Sequence, residues 1–231
     1  MASKLNFSAQ LSLYTKGFEK GIRSVRNQLK SLAGTFQSFA ASMGAGLGLY
    51  QLVSQMSSVA KELNTAKATL KNVSDSVADY NKSMTLARNL AKQYSQDMVS
   101  LMGNLASFQG SAKGTGIALS TVNDIFESLT KASAYFNLSS QQTSQVLTAV
   151  GQMMSKGTVQ AQELKLQLAN VLPGAFSIMA RAVGVTTSEL DKLMSQGKLA
   201  AKDVLPKFAD ELNKMTAGKI DTTGLQLRST G

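Results

Sequence analysis

The chain has 231 residues and a net charge of +10, and it contains no cysteine, histidine or tryptophan. Without Cys or His there is no disulfide framework, no Ser-His or Cys-His nucleophile and no zinc site built on those ligands. Hydrophobic residues make up 43%, prolines number two, and Ala, Leu, Ser, Gln, Lys and Met dominate, a composition that can bury a core and favours helix.

The N-terminus alternates Leu5, Phe7, Leu11 and Leu13 with polar residues, which predicts an extended arm over residues 1–15 and not a signal peptide. A lone strand needs a partner, which another subunit could supply. Residues 16–94 read as basic coiled-coil helices. Phe18, Ile22, Val25, Leu29, Leu32, Phe36, Phe39 and Met43 follow a 4-3 spacing, the seam of a coiled coil. Lys16, Lys20, Arg23, Arg26 and Lys30 lie off that stripe. Residues 1–62 hold seven basic side chains against Glu19 and Glu62, so this arm is the candidate for electrostatic docking on an acidic partner.

The first seam breaks at Gly44, Gly46 and Gly48, which alternate with Ala45, Leu47 and Leu49. Each glycine costs a helix about 1 kcal/mol, which makes 44–48 a hinge between two coiled-coil arms. Small residues among apolar ones also suit a membrane-active stretch. No window reaches the ~18 uninterrupted apolar residues of a membrane span.

A second seam runs in 4-3 steps from Leu52 to Phe108 with no charged member. It forms one long helix, or two or three antiparallel ones folded back at Ser74-Asp75 and Ser95-Gln96-Asp97, where capping residues cluster. Gly110 to Gly116 reads as a loop. Its Lys113-Gly-Thr-Gly116 lacks the spacing and the preceding strand of a phosphate loop.

Residues 95–217 are predicted to be a compact helical domain, with helices over 121–137, 140–156, 159–170, 173–183, 187–196 and 204–216. Thr186 and Glu189 form a capping-box signature, and Gly157, Gly184, Gly197 and Gly218 stand where helix-ending glycines belong. Asn170 and Asp203 can cap helices that carry Pro173 and Pro206 in their first turns. Residues 218–231 are polar and unpatterned, a linker or a truncated end. The fold class is therefore all-α, an N-terminal coiled-coil and long-helix region followed by a compact multi-helix domain.

Few residues point to chemistry. Glu189/Asp191 and Asp210/Glu211 are the nearby acidic pairs, and both sit among lysines as solvated helix faces. The methionines fall on seams and apolar faces, as core packing requires. The basic half shows no aromatic platform or motif for sequence-specific nucleic-acid binding. No catalytic, cofactor or metal residue is assigned.

From Leu101 onward the chain resembles the conserved N-terminal domain of phage and prophage tail tape-measure proteins. The likeness is carried by Ala112-Lys-Gly-Thr-Gly116, by Val150 through Leu168, by Leu172-Pro-Gly-Ala-Phe176, by Ala180 through Val185 with Glu189-Leu190, and by Gly197 through Pro206. It marks Gly114, Gly116, Lys156, Gly157, Glu163, Leu164, Gln167, Leu168, Pro173, Gly174, Gly184, Gly197 and Pro206 as family-motif structural positions. The resemblance implies a non-enzymatic protein of the tail-tube lumen that sets tail length and is expelled ahead of the genome. It implies tail-tube and tail-tip proteins, tail assembly chaperones and self-association through helices as partners, with transient membrane contact on ejection. Residence would run from host cytoplasm to virion tail to host envelope. At ~1.5 Å per helical residue, 231 residues span at most about 350 Å. That is short for a ruler, so a truncated chain or a short tail is expected; the cell-wall hydrolase domain of some family members is also absent.

Overall fold

A computed structural model describes residues 46–217. The extended arm of 1–15, the 18–43 seam, Gly44, the docking candidates Lys16, Lys20, Arg23, Arg26 and Lys30, and the 218–231 tail all lie outside them. The chain divides into two units, residues 1–64 and residues 65–231. The described elements are helical, apart from one isolated antiparallel bridge between Thr158 and Ala200.

Helix α1 spans Gly46–Val73, with Gly46, Leu47, Gly48 and Leu49 in its first turn. The second seam, which continues through it, is interrupted twice, at the two places where caps cluster. Ser76 opens α2 (Val77–Tyr94) by accepting the Asp79 amide at 3.1 Å, and Asp97 opens α3 (Met98–Ala112) by accepting the Ser100 amide at 2.7 Å. Such caps satisfy amides that have no partner inside the helix. Between α2 and α3, Ser95 adopts a left-handed conformation with φ +49°. The seam still faces inward: Ala66, Leu70, Tyr80, Ala87, Ala91, Tyr94, Leu101, Leu105 and Phe108 are buried. Helix α3 runs on to Ala112, so Gly110 and Ser111 are helical and the expected loop shortens to 113–118.

The remaining helices are α4 (Leu119–Tyr135), α5 (Ser140–Lys156), a π-helix (Gln162–Leu168), α6 (Ala169–Val171), α7 (Ala175–Val183), α8 (Thr187–Ser195) and α9 (Ala201–Thr216). Within the second unit α2 packs on α3 and α4, and α3 packs on α5. Helix α9 lies across α4 and α7, and the π-helix sits against α5 and α7. The core holds Phe126, Phe208, Met102, Ile125, Leu129, Met153 and Met154, all fully buried, and Phe108 meets the Phe126 ring edge-on at 5.6 Å. Edge-to-face contact suits the ring quadrupoles.

Polar side chains, some of them buried, tie helices together. Gln109 Nε2 donates to Ser83 Oγ at 2.7 Å and to Asn123 Oδ1 at 2.8 Å, joining α3 to α2 and α4. Asn104 Nδ2 donates to Ser144 Oγ, and Asn213 Nδ2 to Ser128 Oγ, each at 2.8 Å.

Two cap assignments are corrected. Asn170 does not open a helix, because its side-chain Nδ2 donates back to the Leu166 carbonyl at 2.6 Å while Pro173 lies in the turn that follows. Helix α9 starts early at Ala201, so Asp203 lies in its first turn, where its charge complements the helix dipole, and Pro206 lies in its interior. The carbonyl that loses its partner to Pro206 belongs to exposed Lys202.

The Thr186–Glu189 capping box forms in full, and an unexpected second box joins Ser139 and Gln142 at the start of α5. The Thr186 amide and then its hydroxyl hold the Glu189 carboxyl below the usual carboxylate range, with a smaller contribution from Lys192. A carboxyl depressed on folding stabilises the fold above its unfolded value of about 4.3 and loses that contribution as pH falls through the folded value. Glu189→Gln should therefore flatten the acid side of the stability curve below about pH 4, read as melting temperature against pH. An acid limb identical to wild type would remove Glu189 from the account.

Candidate functional site: the Lys156–Glu163 pair and the π-helix

Helix α5 ends at Lys156, and Gly157 closes it in the left-handed conformation at φ +72°, open to glycine at little cost. The next residues are extended. The Val159 amide donates to the Leu199 carbonyl and the Ala201 amide to the Gly157 carbonyl, both at 2.9 Å. This pins the α5 exit to the α9 entry and replaces the first two residues of the helix expected over 159–170.

The π-helix that follows is wider than an α-helix. In an α-helix, residues five apart point about 140° away from each other; here Glu163 and Leu168 are both buried, as is Leu164. Glu163 is 1% exposed. Its Oε1 meets Lys156 Nζ at 2.5 Å, and its Oε2 has no hydrogen-bond partner. Lys156 keeps 43% of its side chain in solvent, so the ammonium stays hydrated while it neutralises a carboxylate in the core. The pair cross-links α5 to the π-helix across the bridge.

The outer side of the same segment is tied down as well. Lys165 pairs with Asp191 of α8 at 2.5 Å and lies 4.9 Å from the centre of the Phe176 ring of α7. Leu166 is left 67% exposed, the one large hydrophobic so exposed among the described residues. On α9, Glu211 meets Lys214 at 2.7 Å and Arg181 of α7 at 3.6 Å. The two acidic pairs are thus helix-face residues, each contributing one partner to a contact between helices.

Of the family-motif positions, Lys156, Gly157, Glu163, Leu164 and Leu168 come together here. Gln167 is half-buried beside them, and Pro173 and Gly174 form the exposed turn into α7. Gly114 and Gly116 lie apart in the α3–α4 loop, both with positive φ, and Gly184 and Gly197 follow α7 and α8 in the same conformation. The sequence reading missed the partners Asp191, Phe176, Arg181 and Glu211. The anomaly at 162–168 had a visible signal, since Leu164, Leu166 and Leu168 alternate with polar residues and fit no α-helical stripe. Among the described residues, no group of three or more acidic side chains could hold a metal ion. The arrangement orders one helix exit, one helix entry and the π-helix between them.

A family model described as "Tape measure protein" matches residues 54–228. A protein of Salmonella phage Felix O1 named "Probable tape measure protein" is 32% identical over 138 residues, which cover 60% of this chain and 18% of that relative's length. No solved structure matches.

Proposed function

The chain belongs to the tape measure protein family, and from that premise we propose that it is a structural, non-enzymatic component of a phage tail. Lying along the tail-tube lumen, it sets tail length during assembly and leaves ahead of the DNA to aid its delivery. Tail-tube and tail-tip proteins, assembly chaperones and further copies of the chain are its partners. It moves from the host cytoplasm to the virion and, on ejection, to the host envelope. The observation that carries this reading is the family match, which runs through every helix from α2 to α9. No helix among the described residues is long and apolar enough to cross a membrane. In-frame deletion of helix-coding sequence from the gene should shorten tails by ~1.5 Å per residue removed, measured by electron microscopy; unchanged length would sink the ruler role.

The basic arm is the proposed docking element. Lys16, Lys20, Arg23, Arg26 and Lys30 have Glu19 as their one acidic neighbour in sequence. An acidic lumen would complement them and would let DNA slide past. Such contacts weaken with salt, being screened over about 10 Å at 0.1 M. Reversing Arg23 and Arg26 to Glu should lower tail yield severalfold without changing the melting of residues 65–217. Normal numbers of full-length tails from that variant would rule the docking out.

A further inference from the structure

The turn between α2 and α3 keeps the phase of the seam it interrupts and holds a strained residue. It is three residues long, Ser95-Gln96-Asp97, and no glycine or proline occurs anywhere from Leu49 to Met102. The 4-3 apolar spacing passes through it in phase: Ala87, Ala91, Tyr94, Met98, Leu101, Leu105. A turn that served only to reverse the chain would have no need to keep that phase. A single helix through the turn would carry one uninterrupted stripe. Ser95 holds φ +49°, a conformation costly for a residue with a Cβ; helix through this point would relieve it.

What keeps α2 folded back is the face it covers. Its buried residues are small or singly polar (Ser83, Ala87, Ala91) with Leu90 and the rings of Tyr80 and Tyr94, and Ser83 takes the Gln109 hydrogen bond. None of these contacts requires α2 and α3 to belong to the same chain.

We propose that Ser95–Asp97 is an exchange hinge: it straightens to fuse α2 and α3 into one helix, and α2 of a second copy fills the α3–α4 face so vacated. Short strained hinges favour such exchange because each copy regains the same contacts. The fused helix has about 36 residues and a length of ~54 Å.

The test uses the full chain, which has no native cysteine. Exposed Lys82 and Ser107 are changed to Cys and spin-labelled, and labelled chains are diluted with unlabelled ones. One continuous helix puts the labels ~38 Å apart; the α2–α3 hairpin holds them at less than half of that. Refolding from denaturant at high concentration should yield a dimer showing the long distance, and refolding at low concentration a monomer showing the short one. Ser95→Ala with Asp97→Ala, which removes a cap and favours helix, should raise the dimer fraction about tenfold. Met98→Pro should abolish it while keeping the monomer's helicity. Asp97 is already extended (φ −63°, ψ 122°), and the first position of α3 accepts proline, whereas a fused helix does not. Should the hinge double variant lose its cooperative melt, wild type and Met98→Pro decide between them. Monomers at every concentration, dimers that keep the short distance within each chain (as association through the 18–43 seam would give), or wild-type dimerisation by Met98→Pro would each overturn the proposal.

Discussion

Leu70→Asp should unfold the 65–217 unit or bring it to the edge of unfolding, while Leu63→Asp, one heptad earlier on α1, should be tolerated. Leu70 is fully buried, and Leu63 is half-exposed. Removing a buried leucine costs about 2–5 kcal/mol in lost transfer energy and cavity. The carboxylate left in its place adds the desolvation penalty of a charge in an apolar seam. Together these rival the ~5–15 kcal/mol that holds a typical domain folded. At Leu63 water still reaches the new charge. Circular dichroism in a urea titration separates the two variants, and a wild-type midpoint for Leu70→Asp would show that the seam is not packed there.

Lys156→Met should cost about 3 kcal/mol, the lower end of the range for breaking a buried ion pair. The asymmetry of the pair sets the size and the direction. Glu163 is almost wholly buried and Lys156 nearly half-exposed, so losing the lysine strands a core carboxylate, whereas losing the glutamate frees an ammonium that water can reach. Glu163→Gln should therefore cost less than Lys156→Met. The double change Lys156→Met with Glu163→Leu should recover most of the loss, as replacing a whole ion pair by apolar residues often does. Urea midpoints of the three variants form the measurement. A Lys156→Met protein as stable as wild type would mean that the pair contributes nothing to holding the π-helix against α5.

What the residues announced in advance was chiefly local. The heptad spacing and the near absence of proline marked the chain as helical. Asp97 opens a helix within the second cluster singled out as a fold-back point, Ser76 opens one a residue beyond Ser74-Asp75, and Thr186 caps with Glu189 as its spacing requires. These signals act within a turn or two of the residue that carries them, so they survive any tertiary arrangement. The site was hidden for the opposite reason. Nothing within four residues of Glu163 says that it will be buried; its burial depends on the Val159–Leu199 and Ala201–Gly157 hydrogen bonds, which join segments some forty residues apart. A separation of 26 residues likewise hid the role of Asp191, whose partner Lys165 lies on the π-helix. The start of α9 was placed three residues late because the expectation relied on Asp203 as a cap, while the bridge at Ala200 begins the helix without one.

The π-helix also constrains how this stretch can vary in length. An α-helix makes the same turn with one residue fewer, so losing one residue between Glu163 and Leu168, such as exposed Leu166, lets the backbone relax to ordinary α-helix. Glu163 and Leu168 then stand four residues apart and about 40° from each other, so both stay on the buried face and Glu163 keeps Lys156. Inserting a further residue has no such outlet, because it turns one of the two out of the core. In a protein whose proposed task is to translate residue number into length, this seven-residue stretch is one place where a residue can be lost without changing which side chains face the core.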